Sequence, residues 1–136
     1  MASTPVDSVS ESAPGMGGRV EGAPRESPVE VCPRLHAAIE MVGRRWSGAI
    51  VAALLRGPLF FRELGAAVPG VSDRLLSQRL RELEADGLVL RSVHNGPPAR
   101  VSYELTEAGL ALEPTFRELQ IWALRPDAVD GAVTGE

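Results

Sequence analysis

The hydrophobic period of this chain changes once, and Gly87 marks the place. Before it, Leu76, Leu80 and Leu83 stand at i, i+4 and i+7, one stripe of an amphipathic helix. After it, Val101, Tyr103 and Leu105 alternate with Arg100, Ser102 and Glu104, the period of a half-buried strand. Leu88-Val89-Leu90 supplies a preceding strand, and His94-Asn95-Gly96-Pro97-Pro98 the connection, in which Asn-Gly is a strong hairpin signal.

Upstream of the change the signals are all helical. Pro33 suits the first position of a helix whose apolar stripe is Leu35, Ile39, Met41 and Val42, ending at Gly43. A second helix is expected from about Arg45, carrying Trp46, Ile50, Val51, Leu54 and Leu55 until Gly57-Pro58 stops it. Phe61 to Val68 reads as a short third helix closed by Pro69-Gly70. Ser72 is a good N-cap for a fourth, which runs to Asp86 with Gly87 as its stop. Beyond the hairpin, Thr106 caps a last helix with Leu110, Leu112, Phe116, Leu119 and Trp122, running to about Leu124. Pro114 must kink or interrupt that helix unless it falls in a first turn. The fold class that follows is mainly α with a small β-hairpin, in the order of a winged helix domain.

Residues 1–29 are rich in Ser, Gly, Pro and Glu without periodicity, so a disordered N-terminal tail is expected there. Residues 126–136 read as a flexible C-terminal tail. The folded unit should span 30–125, short enough that a partner would help complete its core. The formal net charge of -4 argues against a nucleic-acid partner until its distribution is examined. Within 44–100, nine Arg oppose five acids, which leaves +4, so the acidity comes from the ends. All 14 basic residues are Arg, a planar fork suited to phosphate and guanine edges, although codon bias in a GC-rich genome produces the same excess. The single cysteine, Cys32, cannot form an internal disulfide, which fits a reducing compartment. The N-terminus lacks a basic start with an apolar run behind it, and no segment reaches the ~18 apolar residues of a membrane span. A cytoplasmic location without a membrane partner is expected.

The third and fourth helices are joined by Pro69-Gly70-Val71, a connection of helix-turn-helix length. On the fourth helix, Arg74, Ser77, Gln78 and Arg81 form a polar face at i, i+3, i+4 and i+7. These types read base edges and phosphates: Arg for guanine, Gln for adenine, Ser for either or for phosphate. With Ser72 at the helix start, the early residues should reach deepest into a groove. The following hairpin carries Asn95 at its tip between Arg91 and Arg100, placed to lie along the adjacent backbone or minor groove. A solvated amphipathic helix or an ordinary hairpin would show each pattern alone. The two in immediate succession are more specific than either.

The chain resembles the HxlR-type bacterial regulators, winged helix proteins related to the MarR group. The matching stretches are Cys32-Pro33, Val42-Gly43 with Arg45-Trp46, Leu54 through Gly57-Pro58, and Phe61-Arg62-Glu63-Leu64. They continue through Pro69-Gly70-Val71-Ser72, Leu75 to Leu83, Asp86-Gly87-Leu88-Val89, Pro97-Pro98 and Val101 to Thr106. The resemblance implies a homodimer closed by the N- and C-terminal helices, presenting two recognition helices to one DNA face. It implies a phosphate contact for Arg45 at the start of the second helix, shared with Arg44. Some members use a cysteine at the place of Cys32 to sense electrophiles or oxidants. Here a helix start and Arg34 both favour the thiolate, while a small buried apolar residue at the interface is the plainer role. Ser102 stands where the family often has an acid, and the segment before Val31 is longer than the family's lead-in.

Other chemistry finds no support. His36 and His94 lie far apart without companion ligands, so no metal or other cofactor is expected. Glu82, Glu84 and Asp86 read as a solvated helix end, Trp46 and Trp122 as packing, and no catalytic motif is present. The expectation is therefore a sequence-specific, duplex-DNA-binding transcription regulator and not an enzyme. It would bind a pseudo-palindromic operator as a homodimer, as a repressor or a redox- or effector-responsive switch, with a small-molecule or electrophile effector. The alternative is a winged helix that binds protein without binding DNA.

Overall fold

The computed structural model describes residues 29–129. The tail expected over 1–29 therefore lies, up to residue 28, outside the described residues, as do residues 130–136 of the expected C-terminal tail. Residues 32–129 fold as one unit. Helix α1 (Pro33–Gly43) carries Pro33 in its first turn, where the missing N–H has no partner to lose. Helix α2 (Ser47–Leu54) is followed by a two-residue strand β1 (Leu59–Phe60) and helix α3 (Phe61–Ala67). After α4 (Asp73–Ala85) come β2 (Val89–His94) and β3 (Arg100–Leu105), then α5 (Glu107–Leu110) and α6 (Glu113–Ala123).

The sheet departs from the expected simple hairpin. It has three antiparallel strands in the order β1-β3-β2, with Leu59 opposite Tyr103 and Phe60 opposite Ser102. A two-residue strand has no period to read, so only the pairing reveals it. The hairpin proper runs in register from Val89↔Leu105 to His94↔Arg100. The closing helix also divides. Thr106 Oγ1 accepts from the Gly109 N–H at 3.1 Å to cap α5, and Pro114 occupies the first turn of α6. The second helix begins at Ser47 instead of about Arg45, because Trp46 takes a left-handed conformation at φ 78 and ψ -24.

The core is aliphatic. Ile50, Val51 and Leu54 of α2 pack with Leu64 and Val68 around α3, Leu76, Leu80 and Leu83 of α4, and Leu88, Val89, Tyr103 and Leu105 from the sheet. By contrast, neither α1 nor α6 buries a single residue within the chain. Leu35, Ile39, Leu119, Ile121 and Trp122 each stay at least half exposed.

Gly109 is the tightest point where α5 meets the sheet. A Cβ there would stand 2.5 Å from the Leu88 carbonyl and 3.0 Å from Leu105 Cδ2, whereas one on Gly43 would meet open space. Gly109→Ala should therefore cost about 1–3 kcal/mol of stability by overpacking. Gly43→Ala should stay within about 0.5 kcal/mol of the parent. Urea midpoints followed by circular dichroism compare the two, and equal midpoints would refute the tight contact.

Candidate nucleic-acid interface

Helix α4 is fixed at both ends by the residues the sequence offered. At its start, Ser72 Oγ accepts from the Leu75 N–H at 3.1 Å. At its end, the Leu88 N–H donates to the Leu83 carbonyl and the Gly87 N–H to the Glu84 carbonyl, both at 3.0 Å. Gly87 holds the left-handed φ of 82 that this Schellman closure requires. Between the ends, Leu76, Leu80 and Leu83 are fully buried, so the opposite face must point outward.

Arginines set the orientation of α4 about its axis. Arg79, which sequence reasoning passed over, donates from Nε to the Arg45 carbonyl at 2.8 Å and pairs with Glu82 at 3.1 Å. Its side chain is only 16% exposed, so this bridge works in a partly desolvated setting. Arg44, at the end of α1, pairs with Asp86 at 2.7 Å and with Glu82 at 3.6 Å. Glu82 and Asp86 are therefore paired with arginines, while Asp86 and Glu84 stay exposed at the helix end as the sequence led one to expect. Arg79 and Glu82 stand at a local i, i+3 spacing, but the 34- and 42-residue separations of Arg79 from Arg45 and of Arg44 from Asp86 leave no local pattern that could have announced them.

The turn before α4 is clamped as well. A Cβ on Gly70, whose φ is +94, would lie 3.3 Å from Trp46 Cη2, so the indole sits against the helix-turn-helix connection. The Arg45 guanidinium lies over the same indole, 4.9 Å from its centroid. The left-handed Trp46 costs of order 1–3 kcal/mol, and these contacts hold it.

Of the expected contact residues, Arg74, Gln78 and Arg81 are exposed along α4 and Ser77 is half-buried beside them. Gln78 reaches Glu82 only weakly, at 3.4 Å. Ser77 and Arg81 line one cleft with Arg91 of β2 and Tyr103 of β3, so the helix face and the hairpin are brought together. Arg91 shares the core-side face with Tyr103, its register partner. Asn95 is exposed at the hairpin tip, and Arg100 is exposed beside it with its guanidinium 3.5 Å from the Phe60 ring centroid. Ser72 caps α4 and stays exposed. Arg45 is exposed but precedes α2 by two residues, outside the helix start assumed for it. Arg44 does not join this group, because it lines a separate cleft with His36, Glu40 and Asp86. Cys32 is exposed at the N-cap of α1.

Comparison with known proteins places the chain in a family. Residues 41–127 match the family model described as HxlR-like helix-turn-helix. The HTH-type transcriptional regulator YodB of Bacillus subtilis (strain 168) is 41% identical over 93 residues, covering 68% of this chain and 83% of YodB. The solved reduced form of YodB is similar at a TM-score of 0.62 with 40% identity, over 69% of this chain and 92% of that one. Its quinone-bound form gives 0.60 at 40% identity, over 68% and 97%. The redox regulator HypR in its reduced form gives 0.63 at 34% identity, over 66% and 89%.

The cap separates stability from recognition. Ser72→Ala should cost about 1 kcal/mol of folding stability, while Ser72→Asp keeps the cap and the favourable helix-dipole charge. Thermal unfolding of the two variants should then rank Asp above Ala. A DNA titration should rank them in the opposite order, because an added carboxylate repels phosphate. The same order in both measurements would remove Ser72 from the interface.

Proposed function

The chain belongs to the HxlR-like helix-turn-helix family, a transcription regulator that binds DNA, and we propose the following account of how it engages its operator. Two copies associate through α1 and α6. Each α4 enters a major groove, where Arg74, Ser77, Gln78 and Arg81 meet base edges and Ser72 the flanking phosphate. The hairpin lies alongside, with Asn95 and Arg100 on the backbone or in the minor groove. Arg45 is free to meet a phosphate, and Arg44 reaches one only by giving up Asp86. The observation that carries this reading is the union of an exposed Arg/Gln/Ser helix face with an arginine-bearing hairpin across one cleft. For the homodimer the support is different: two amphipathic helices with no buried residue leave apolar surface that a lone chain would expose to water. Such a protein acts where DNA is, in the cytoplasm, and by recognition instead of catalysis.

Fluorescence anisotropy with duplex DNA from upstream of the gene, against a random duplex, tests the reading. Specific binding should saturate at two chains per site and weaken with salt. Arg74→Ala should lose about 1–3 kcal/mol, roughly 5- to 150-fold, and relax base preference at one position. Arg100→Ala should weaken all duplexes alike and lower the salt slope by about 1. Unchanged specificity in an Arg74→Ala, Gln78→Ala double variant would overturn the assignment of α4 as the reading helix.

Responsiveness to an electrophile or oxidant is proposed for Cys32. YodB has been solved in reduced and quinone-bound forms, which motivates the question here. The Cys32 thiol is held below its ordinary range, chiefly by the backbone amide of Leu35, then by that of Arg34, with the Arg34 charge a lesser aid against slight desolvation. No hydrogen bond of capping geometry forms, so the effect is the pull of nearby N–H dipoles. A lowered thiol is ionised at lower pH, so alkylation by iodoacetamide should show its inflection below the usual ~8.5 of a free thiol. Arg34→Gln should move that inflection up only slightly. An inflection at or above the free-thiol value would exclude an activated Cys32.

A further inference from the structure

The corner between α1 and α2 is strained, and part of what holds it comes from α4. Trp46 stands there at φ 78, the one non-glycine residue in the left-handed region among the described residues. Arg44 Nε, the Trp46 indole N–H and the Ser47 hydroxyl are all buried there without a hydrogen-bond partner among the described residues. The backbone supplies one closure, the Ser47 N–H on the Arg44 carbonyl at 2.9 Å. The other is Arg79 Nε on the Arg45 carbonyl at 2.8 Å.

That carbonyl belongs to the rigid peptide plane between Arg45 and Trp46, so its direction fixes the φ of Trp46. Pinning it keeps the indole against Gly70 and under the Arg45 guanidinium, which lies 4.9 Å from the ring centroid. Arg45 is exposed, whereas the Arg79 side chain is 16% exposed and has a second partner in Glu82 at 3.1 Å. Arg79 therefore has little surface to offer a phosphate, and Arg45 has that surface.

We propose that Arg79 is a positioning residue for DNA binding. Through its Nε bond it locks the α1–α2 corner and so presents Arg45 to a backbone phosphate, without touching DNA itself. The presentation of Arg45 rests on the DNA-binding reading above; the lock does not.

Two substitutions separate the bond from the charge. Glutamine places an amide N–H where Arg79 has Nε but carries no charge, and lysine keeps the charge with a methylene at that place. Both are good helix formers, so α4 persists in either variant. In the full chain, Arg79→Gln should bind a random duplex within about twofold of the parent. Arg79→Lys should bind it about fivefold more weakly or worse. It should also lower the salt slope by about 1, as Arg45→Ala does. The Arg45→Ala, Arg79→Lys double variant should lose no more than Arg45→Ala alone. Lysine outperforming glutamine would make Arg79 a charge acting on DNA, and additive losses would make its role independent of Arg45. Either result overturns the proposal, as do Gln and Lys variants that bind alike.

A measurement without DNA reads the corner directly. The chain's two tryptophans give two indole N–H resonances, and the half-exposed Trp122 serves as internal control. Exchange of the buried Trp46 indole N–H with water should quicken about tenfold or more in Arg79→Lys and stay near the parent rate in Arg79→Gln. Equal exchange in the two variants would overturn the lock. A salt slope unchanged in Arg45→Ala would overturn the presentation of Arg45 and that part of the operator reading, while the exchange rates would still decide the lock.

Discussion

The surface proposed to face DNA depends on what faces inward from α4. Leu76, Leu80 and Leu83 are fully buried against α2 and the sheet, and truncating any one would cost about 2–5 kcal/mol. A helix has only one such stripe to bury, so burying it fixes the azimuth of Arg74, Gln78 and Arg81. Ser72 and Gly87 set the length of the helix, and the core decides its rotation. The recognition face is in this sense the remainder of a packing solution.

Around that solution the protein adds a ring of long-range polar contacts. Arg79 ties α4 to the corner between α1 and α2, and Arg44 ties the end of α1 to the end of α4. These contacts are partly buried, with Arg79 only 16% exposed, and they hold the elements they join in a fixed geometry. They give α1 a direct mechanical connection to the helix proposed to read DNA. Since α1 also carries Cys32 at its exposed start, a change there would have a short path to α4. The left-handed Trp46 belongs to the same corner, its indole set against Gly70 where the turn passes closest.

Much of the site was legible in the sequence, for reasons that can be named. Caps and stops act locally, so Pro33, Ser72, Gly87 and Thr106 announced their helix ends within a few residues. The face of α4 followed from its 3.6-residue period, and the alternation on β3 from its period of 2. The family's motif order then placed these pieces in one architecture. Illegible were the features that join distant segments: β1 against β3, Arg79 on the Arg45 carbonyl, and Arg100 stacked on Phe60. None of these pairs has a sequence spacing that carries information.

The boundary between the two kinds of knowledge is therefore physical. By itself the sequence determined which segments are helix or strand, which face of each is apolar, and where the cationic side chains cluster, because periodicity and capping are local properties of the backbone. Only the tertiary structure decided which arginines remain free and which are consumed. Arg44 and Arg79 look like Arg74 and Arg81 in the sequence, yet packing brings Arg44 to Asp86 and Arg79 to the Arg45 carbonyl and leaves the second pair to solvent. Contacts across 34 or 42 residues form because a common core fixes both partners in space, and no local rule encodes that distance.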